Sequence, residues 1–90
     1  MVSNVIQKKM TVKLDKGLDA RPVAVFVQIA SQYESKVSVE VDGKTINAKS
    51  IMGMMSLGLA NGGELTVVTD GSDEETAVEH IERFLNGEAV

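Results

Sequence analysis

Val37, Val39 and Val41 alternate with Ser38 and Glu40 and run into Asp42-Gly43, after which Lys44-Thr45-Ile46-Asn47 starts a second short run. A period of two puts the valines on one face and the polar side chains on the other, as in a half-buried strand. Asp-Gly tolerates the positive φ values of a type I′ turn, so the segment reads as a β-hairpin. An isolated hairpin is marginal in water. In a chain of 90 residues, too short for a second core, the remaining elements must cover it.

The rest of the chain supplies that cover. Ile6 to Leu14 alternates again, with Met10, Val12 and Leu14 on one face and Thr11 and Lys13 on the other. Gly62-Gly63 opens a further strand, Glu64 to Thr69, rich in β-branched residues. Near the end, Ser72-Asp73-Glu74-Glu75 reads as a capping box, and Ala77, Val78, Ile81, Phe84 and Leu85 form one apolar helical stripe that Gly87 closes. Ser50 to Leu57 reads as a short helix capped by Ser50, although Gly53 weakens it. Pro22 to Ile29 stays ambiguous. Its β-branched composition suits a buried strand, while Pro22 near a start and the spacing of Val23, Phe26, Val27 and Ala30 suit a helix. The order of elements points to an α+β fold with one antiparallel sheet covered on one face by helices.

Composition narrows the function. Hydrophobic residues make up 43% and charged residues 24%, a globular balance. With no Cys, the chain has no thiol nucleophile and no Cys-based zinc site, and the lone His80 cannot build a multi-histidine one. No metal or cofactor is expected. The net charge of −4 divides into +3 over residues 1–50 and −7 over residues 51–90. Only Phe26, Tyr33 and Phe84 are aromatic, too few for a base-stacking surface, so direct nucleic-acid binding is not expected. The longest apolar run, Pro22 to Val27, is far too short to cross a bilayer, and Met1 to Lys9 lacks the apolar centre of a leader peptide. A cytoplasmic protein without a membrane partner is the expectation.

Two segments carry residues suited to chemistry. In Gly17-Leu18-Asp19-Ala20-Arg21-Pro22, Gly17 permits a tight turn, and a helix beginning just beyond it would offer free N–H groups, beside the Arg21 donor fork, to an anion. The plainer alternative is that Asp19 merely caps that helix. In Asn47-Ala-Lys-Ser-Ile-Met-Gly-Met-Met-Ser-Leu57, three methionines in four positions exceed what a short helix can hide, which suggests an adaptable contact surface. A core-facing role suits some of Ile51, Met54 and Leu57. His80 lies at the flank of the last helix's stripe and reads as a surface or boundary side chain.

The first segment resembles the G-[IL]-H-A-R-P signature of HPr, the histidine-containing phosphocarrier family of the bacterial sugar phosphotransferase system, and the second is similar to that family's regulatory-serine motif. The likeness runs from about Ile6 to Leu85, with the two motifs at the family's separation. It implies a single HPr-like domain over residues 1–90. The implied fold is an open-faced sandwich of a four-stranded antiparallel sheet and three helices, with residues 20–31 helical.

One departure matters. Where the family has its phosphoryl-accepting histidine, this chain has Asp19. Loss of that histidine with retention of the serine motif is the pattern of the Crh paralogues, which typically carry Gln there. The resemblance therefore implies a regulatory adaptor without catalysis of its own. HPr kinase/phosphorylase would phosphorylate Ser50, and the product would bind a LacI-type catabolite control repressor as corepressor. Arg21 and Lys49 would support the phosphate, and Ile51, Met52 and Met55 would supply apolar contact. Asp19, Arg21 and Pro22 would be a degenerate carrier site. The alternatives are a phosphocarrier working through Asp19 as an acyl phosphate, and a paralogue whose serine is never modified. A monomer and a strand-swapped homodimer are both compatible with the resemblance.

Overall fold

The computed structural model describes residues 5–88; the first four residues of the Met1–Lys9 stretch lie outside them. Its elements run β1 (Ile6–Thr11), α1 (Ala20–Ser31), β2 (Lys36–Val41), β3 (Lys44–Asn47), α2 (Ile51–Met55), β4 (Glu64–Asp70) and α3 (Glu74–Leu85). The strands form one antiparallel sheet in the order β1-β4-β2-β3. The hairpin turn is of the expected kind, with Asp42 at φ 50° and Gly43 at φ 78°.

Met10, Val37, Val39, Leu65 and Val67 project from one face of the sheet into a single core. From the other side α1 contributes Val23, Phe26, Ile29 and Ala30, and α3 contributes Ala77, Val78, Ile81, Phe84 and Leu85. Phe26 and Phe84 meet edge to face, with ring centroids 6.2 Å apart. Pro22 falls in the first turn of α1, where its missing N–H costs no helical bond. Burial of Val23, Phe26 and Ile29 at helical spacing outweighs the β-branched composition of this segment. Among the described residues no helix is long and apolar enough to cross a membrane.

Two local expectations are corrected. β1 ends at Thr11 rather than Leu14. Val12 still exchanges backbone bonds with Gly63 and Gly62, but the Lys13 N–H turns to the Leu85 carbonyl at the end of α3 and leaves the ladder. The capping box is also displaced. α3 starts at Glu74, whose carboxylate reaches back to the Gly71 N–H at 2.9 Å, and Ser72 does not cap it. The other end behaves as read: the Gly87 N–H donates to the Phe84 carbonyl and the Glu88 N–H to that of Arg83, with Gly87 at φ 83°. That is a Schellman stop.

Candidate functional site: the Asp19 cleft and the Ser50 helix

Asp19 sits at the N-cap of α1, yet its side chain makes no capping bond; only its carbonyl engages the helix, accepting from the Val23 N–H at 3.0 Å. The exposed carboxylate shares a cleft with Leu14, Asp15, Lys16, Arg21 and Pro22. Gly17 sets this corner. It lies at φ +64°, and a Cβ there would come within 2.4 Å of the Leu59 carbonyl oxygen and 2.7 Å of the Ala60 Cα. The Leu18 N–H donates to that same carbonyl at 2.7 Å, so the turn before α1 is fastened to the segment after α2. Arg21 is exposed, and among the described residues no member of the serine motif lines its cleft.

Ser50 is the N-cap of α2. Its Oγ accepts from the Gly53 N–H at 3.2 Å, and its carbonyl accepts from the Met54 N–H at 3.0 Å. The segment before it is held by the Asn47 side chain, which accepts from the Lys49 N–H at 2.9 Å. Gly53, unfavourable for a helix in isolation, has a packing reason: a Cβ there would lie 3.0 Å from Ile46 Cγ2 and 3.5 Å from the Ser50 hydroxyl. The ammonium of Lys49 donates to the Tyr33 carbonyl at 2.6 Å, which ties the serine segment to the chain just beyond α1.

The methionines divide. Met54 is fully buried, whereas Met52 is 83% exposed, and Ile51 and Met55 are each 50% exposed. The core reading thus holds for Met54, while Leu57 is half-buried. The exposed three form an apolar surface immediately after Ser50.

Two polar linkages had no local sequence signal. Tyr33 Oη and His80 Nδ1 are 2.6 Å apart, with the rings edge to face, so the boundary histidine has a specific partner. Asp73 accepts hydrogen bonds from the Ser35 hydroxyl, the Glu34 N–H (2.9 Å) and the Ser35 N–H (3.0 Å), clamping the turn before β2 to the start of α3. Those bonds, the Ser35 hydroxyl foremost, hold the Asp73 carboxyl below the usual carboxylate range. A lowered folded-state pKa adds stability that is present above the unfolded value and is lost as pH falls through the folded one. Asp73→Asn should therefore lower the melting temperature at neutral pH, with the gap to the parent narrowing as pH falls through and below the usual carboxylate range. Thermal melts across pH check this, and a gap independent of pH would contradict it.

Residues 6–87 match the family described as the PTS HPr component phosphorylation site. The chain is 47% identical over 83 residues to the HPr-like protein Crh of Halalkalibacterium halodurans, covering 92% of this chain and 99% of that one. Crh of Bacillus subtilis gives the same identity and length, covering 92% and 98%. Among solved structures, phosphocarrier protein HPr from Bacillus anthracis matches with a TM-score of 0.86 and 48% identity, over 89% of this chain and 95% of that one. Bacillus subtilis Crh, crystallised as a swapped, intertwined dimer, matches with a TM-score of 0.75 and 46% identity, over 94% and 98%.

Proposed function

Because the chain belongs to the HPr family and matches its Crh members over nearly its whole length, we propose that it is a cytoplasmic regulatory adaptor of carbon catabolite repression, switched at Ser50. The observation that carries this reading is the surface around Ser50. A half-buried hydroxyl stands at the head of α2, and Ile51, Met52 and Met55 follow it in the open.

In this reading HPr kinase/phosphorylase takes the γ-phosphoryl of ATP to Ser50. The Oγ–P bond forms, the bond to the leaving ADP breaks, and the hydroxyl proton passes to a base on the kinase. Only one lone pair of Oγ is engaged by Gly53, which leaves the other for attack. The phosphate adds nearly two negative charges and three acceptor oxygens, and a LacI-type catabolite control repressor reads them together with the apolar surface. Lys49, one of whose N–H groups is already committed to Tyr33, and Arg21, at the start of α1, are the cations assigned to its support. The adaptor has no catalysis of its own. A second copy of the chain is a further partner in this reading. β1 is an edge strand, and its exchange between copies would re-form the Lys8–Glu82 ion pair (2.8 Å) across the dimer.

Asp19 supports a second reading. Its carboxylate is exposed and free of capping duty, so it is available for acyl-phosphate formation. Intact mass separates the readings. Incubation with ATP and HPr kinase should add one phosphoryl group, lost in Ser50→Ala, whereas phosphoenolpyruvate and enzyme I should add none. Labelling in the second arm alone would favour a carrier, and labelling in neither would mean an unmodified paralogue.

A further inference from the structure

We propose that Met52 and Met55 form an oxidation switch on α2, in which a peroxide converts their thioethers to sulfoxides and closes the repressor-docking surface without disturbing the fold. The docking half of this inference rests on the adaptor reading above; the site of oxidation does not.

Two independent observations carry it. The chain contains no Cys and no Trp but five Met, so no thiol diverts an oxidant and methionine is its most readily oxidised side chain. The structure then sorts the methionines sharply. Met10 is 5% exposed and Met54 is fully buried, whereas Met52 is 83% and Met55 50% exposed. Met52 and Met55 are three residues apart on a helix and so share a face, with Met54 turned inward between them. They are two of the three exposed apolar side chains of the surface that follows Ser50.

The chemistry is a two-electron oxygen transfer. Sδ attacks one oxygen of hydrogen peroxide, the O–O bond breaks, the S=O bond forms, and water departs after proton transfer. Sulfur is oxidised and the peroxide reduced. The product is a polar, chiral group on a surface whose use depends on being apolar, and a thiol-dependent sulfoxide reductase reverses it. No core methionine takes part, so packing is preserved.

The test treats Ser50-phosphorylated protein with limiting hydrogen peroxide and maps sulfoxides by peptide mass. Met52 and Met55 should oxidise at least about tenfold faster than Met10 and Met54. The melting curve should hold while affinity for the repressor falls by about tenfold, with recovery after reductase treatment. A Met52→Leu/Met55→Leu double variant cannot form sulfoxides there, so peroxide should leave its repressor affinity at the variant's own untreated value. Equal oxidation of Met54 and Met52 in the folded protein would overturn the proposal, as would unchanged binding by the oxidised form. If the repressor fails to distinguish phosphorylated from unphosphorylated protein before any peroxide is added, the adaptor reading falls and the docking half of the switch with it, whatever the oxidation rates.

Discussion

Asp19→His is expected to turn a chain that takes no phosphate from phosphoenolpyruvate into one that accepts a single phosphoryl group through enzyme I. The backbone at this position is extended, φ −84° and ψ −167°, and places no demand on residue type. No side-chain capping bond is lost, and the side chain is exposed, so stability should change by less than about 0.5 kcal/mol. The surroundings are already present: the first turn of α1 begins at the next residue, and Arg21 lines the same cleft. The imidazole adds a ring nitrogen able to hold phosphate as a phosphoramidate, which a carboxylate cannot match chemically. Intact mass after incubation reads the outcome. An unlabelled variant would mean that more than this one residue has been lost, and equal labelling of the parent would make Asp19 itself an acceptor.

Gly17→Ala should be strongly destabilising. Alanine at φ +64° costs about 1 kcal/mol or more in backbone strain alone. Its methyl would also press within 2.4 Å of the Leu59 carbonyl oxygen, backbone that cannot swing aside as a side chain would. Relieving the contact means parting the turn from Leu59, at the cost of the Leu18 N–H bond that joins them. Crowding of this kind typically costs about 1–3 kcal/mol, so the sum is roughly 2–5 kcal/mol. Domains of this size hold about 4–13 kcal/mol in total, and a drop in melting temperature of at least about 10 °C should follow. The Asp19 cleft would lose its shape with the turn, so Asp19→His should no longer be labelled in a Gly17→Ala background. A fall of less than about 4 °C would show that the turn yields easily.

The strand-turn-strand of residues 37–47 and the stripe and stop of α3 were legible because each is written locally. Alternation, an Asp-Gly pair and a terminal Gly all act within a few residues of themselves. Pro22 to Ile29 is not, since its preference for helix over strand is decided by what Val23 and Phe26 bury against, and in the sequence only the family resemblance points to helix. The extent of β1 was overestimated for a related reason. Val12 keeps the alternation of buried and exposed residues, but the partner of Lys13 is the end of α3, more than seventy residues away. Separations of 38 and 47 residues likewise hide the Asp73 clamp on Ser35 and the pairing of Tyr33 with His80. At the site, the residues alone show a surplus of methionines, and the resemblance singles out Met52 and Met55 for contact while Met54 is among the core candidates. Met54 inward and Met52 outward follow from where a five-residue helix crosses β3, with Gly53 facing Ile46.

If Ser50 is a switch, affinity for the repressor reads it directly. Labelled catabolite control repressor should be titrated at fixed salt with Ser50-phosphorylated and unphosphorylated protein. One or two charge-assisted hydrogen bonds to the phosphate, at about 1.5–3 kcal/mol each, supply the roughly 2.7 kcal/mol of a hundredfold change. The phosphorylated form should therefore bind about a hundredfold tighter or more, and Met52→Ala should weaken it without preventing phosphorylation. Equal affinities for the two forms would mean that Ser50 is not a switch for repressor binding.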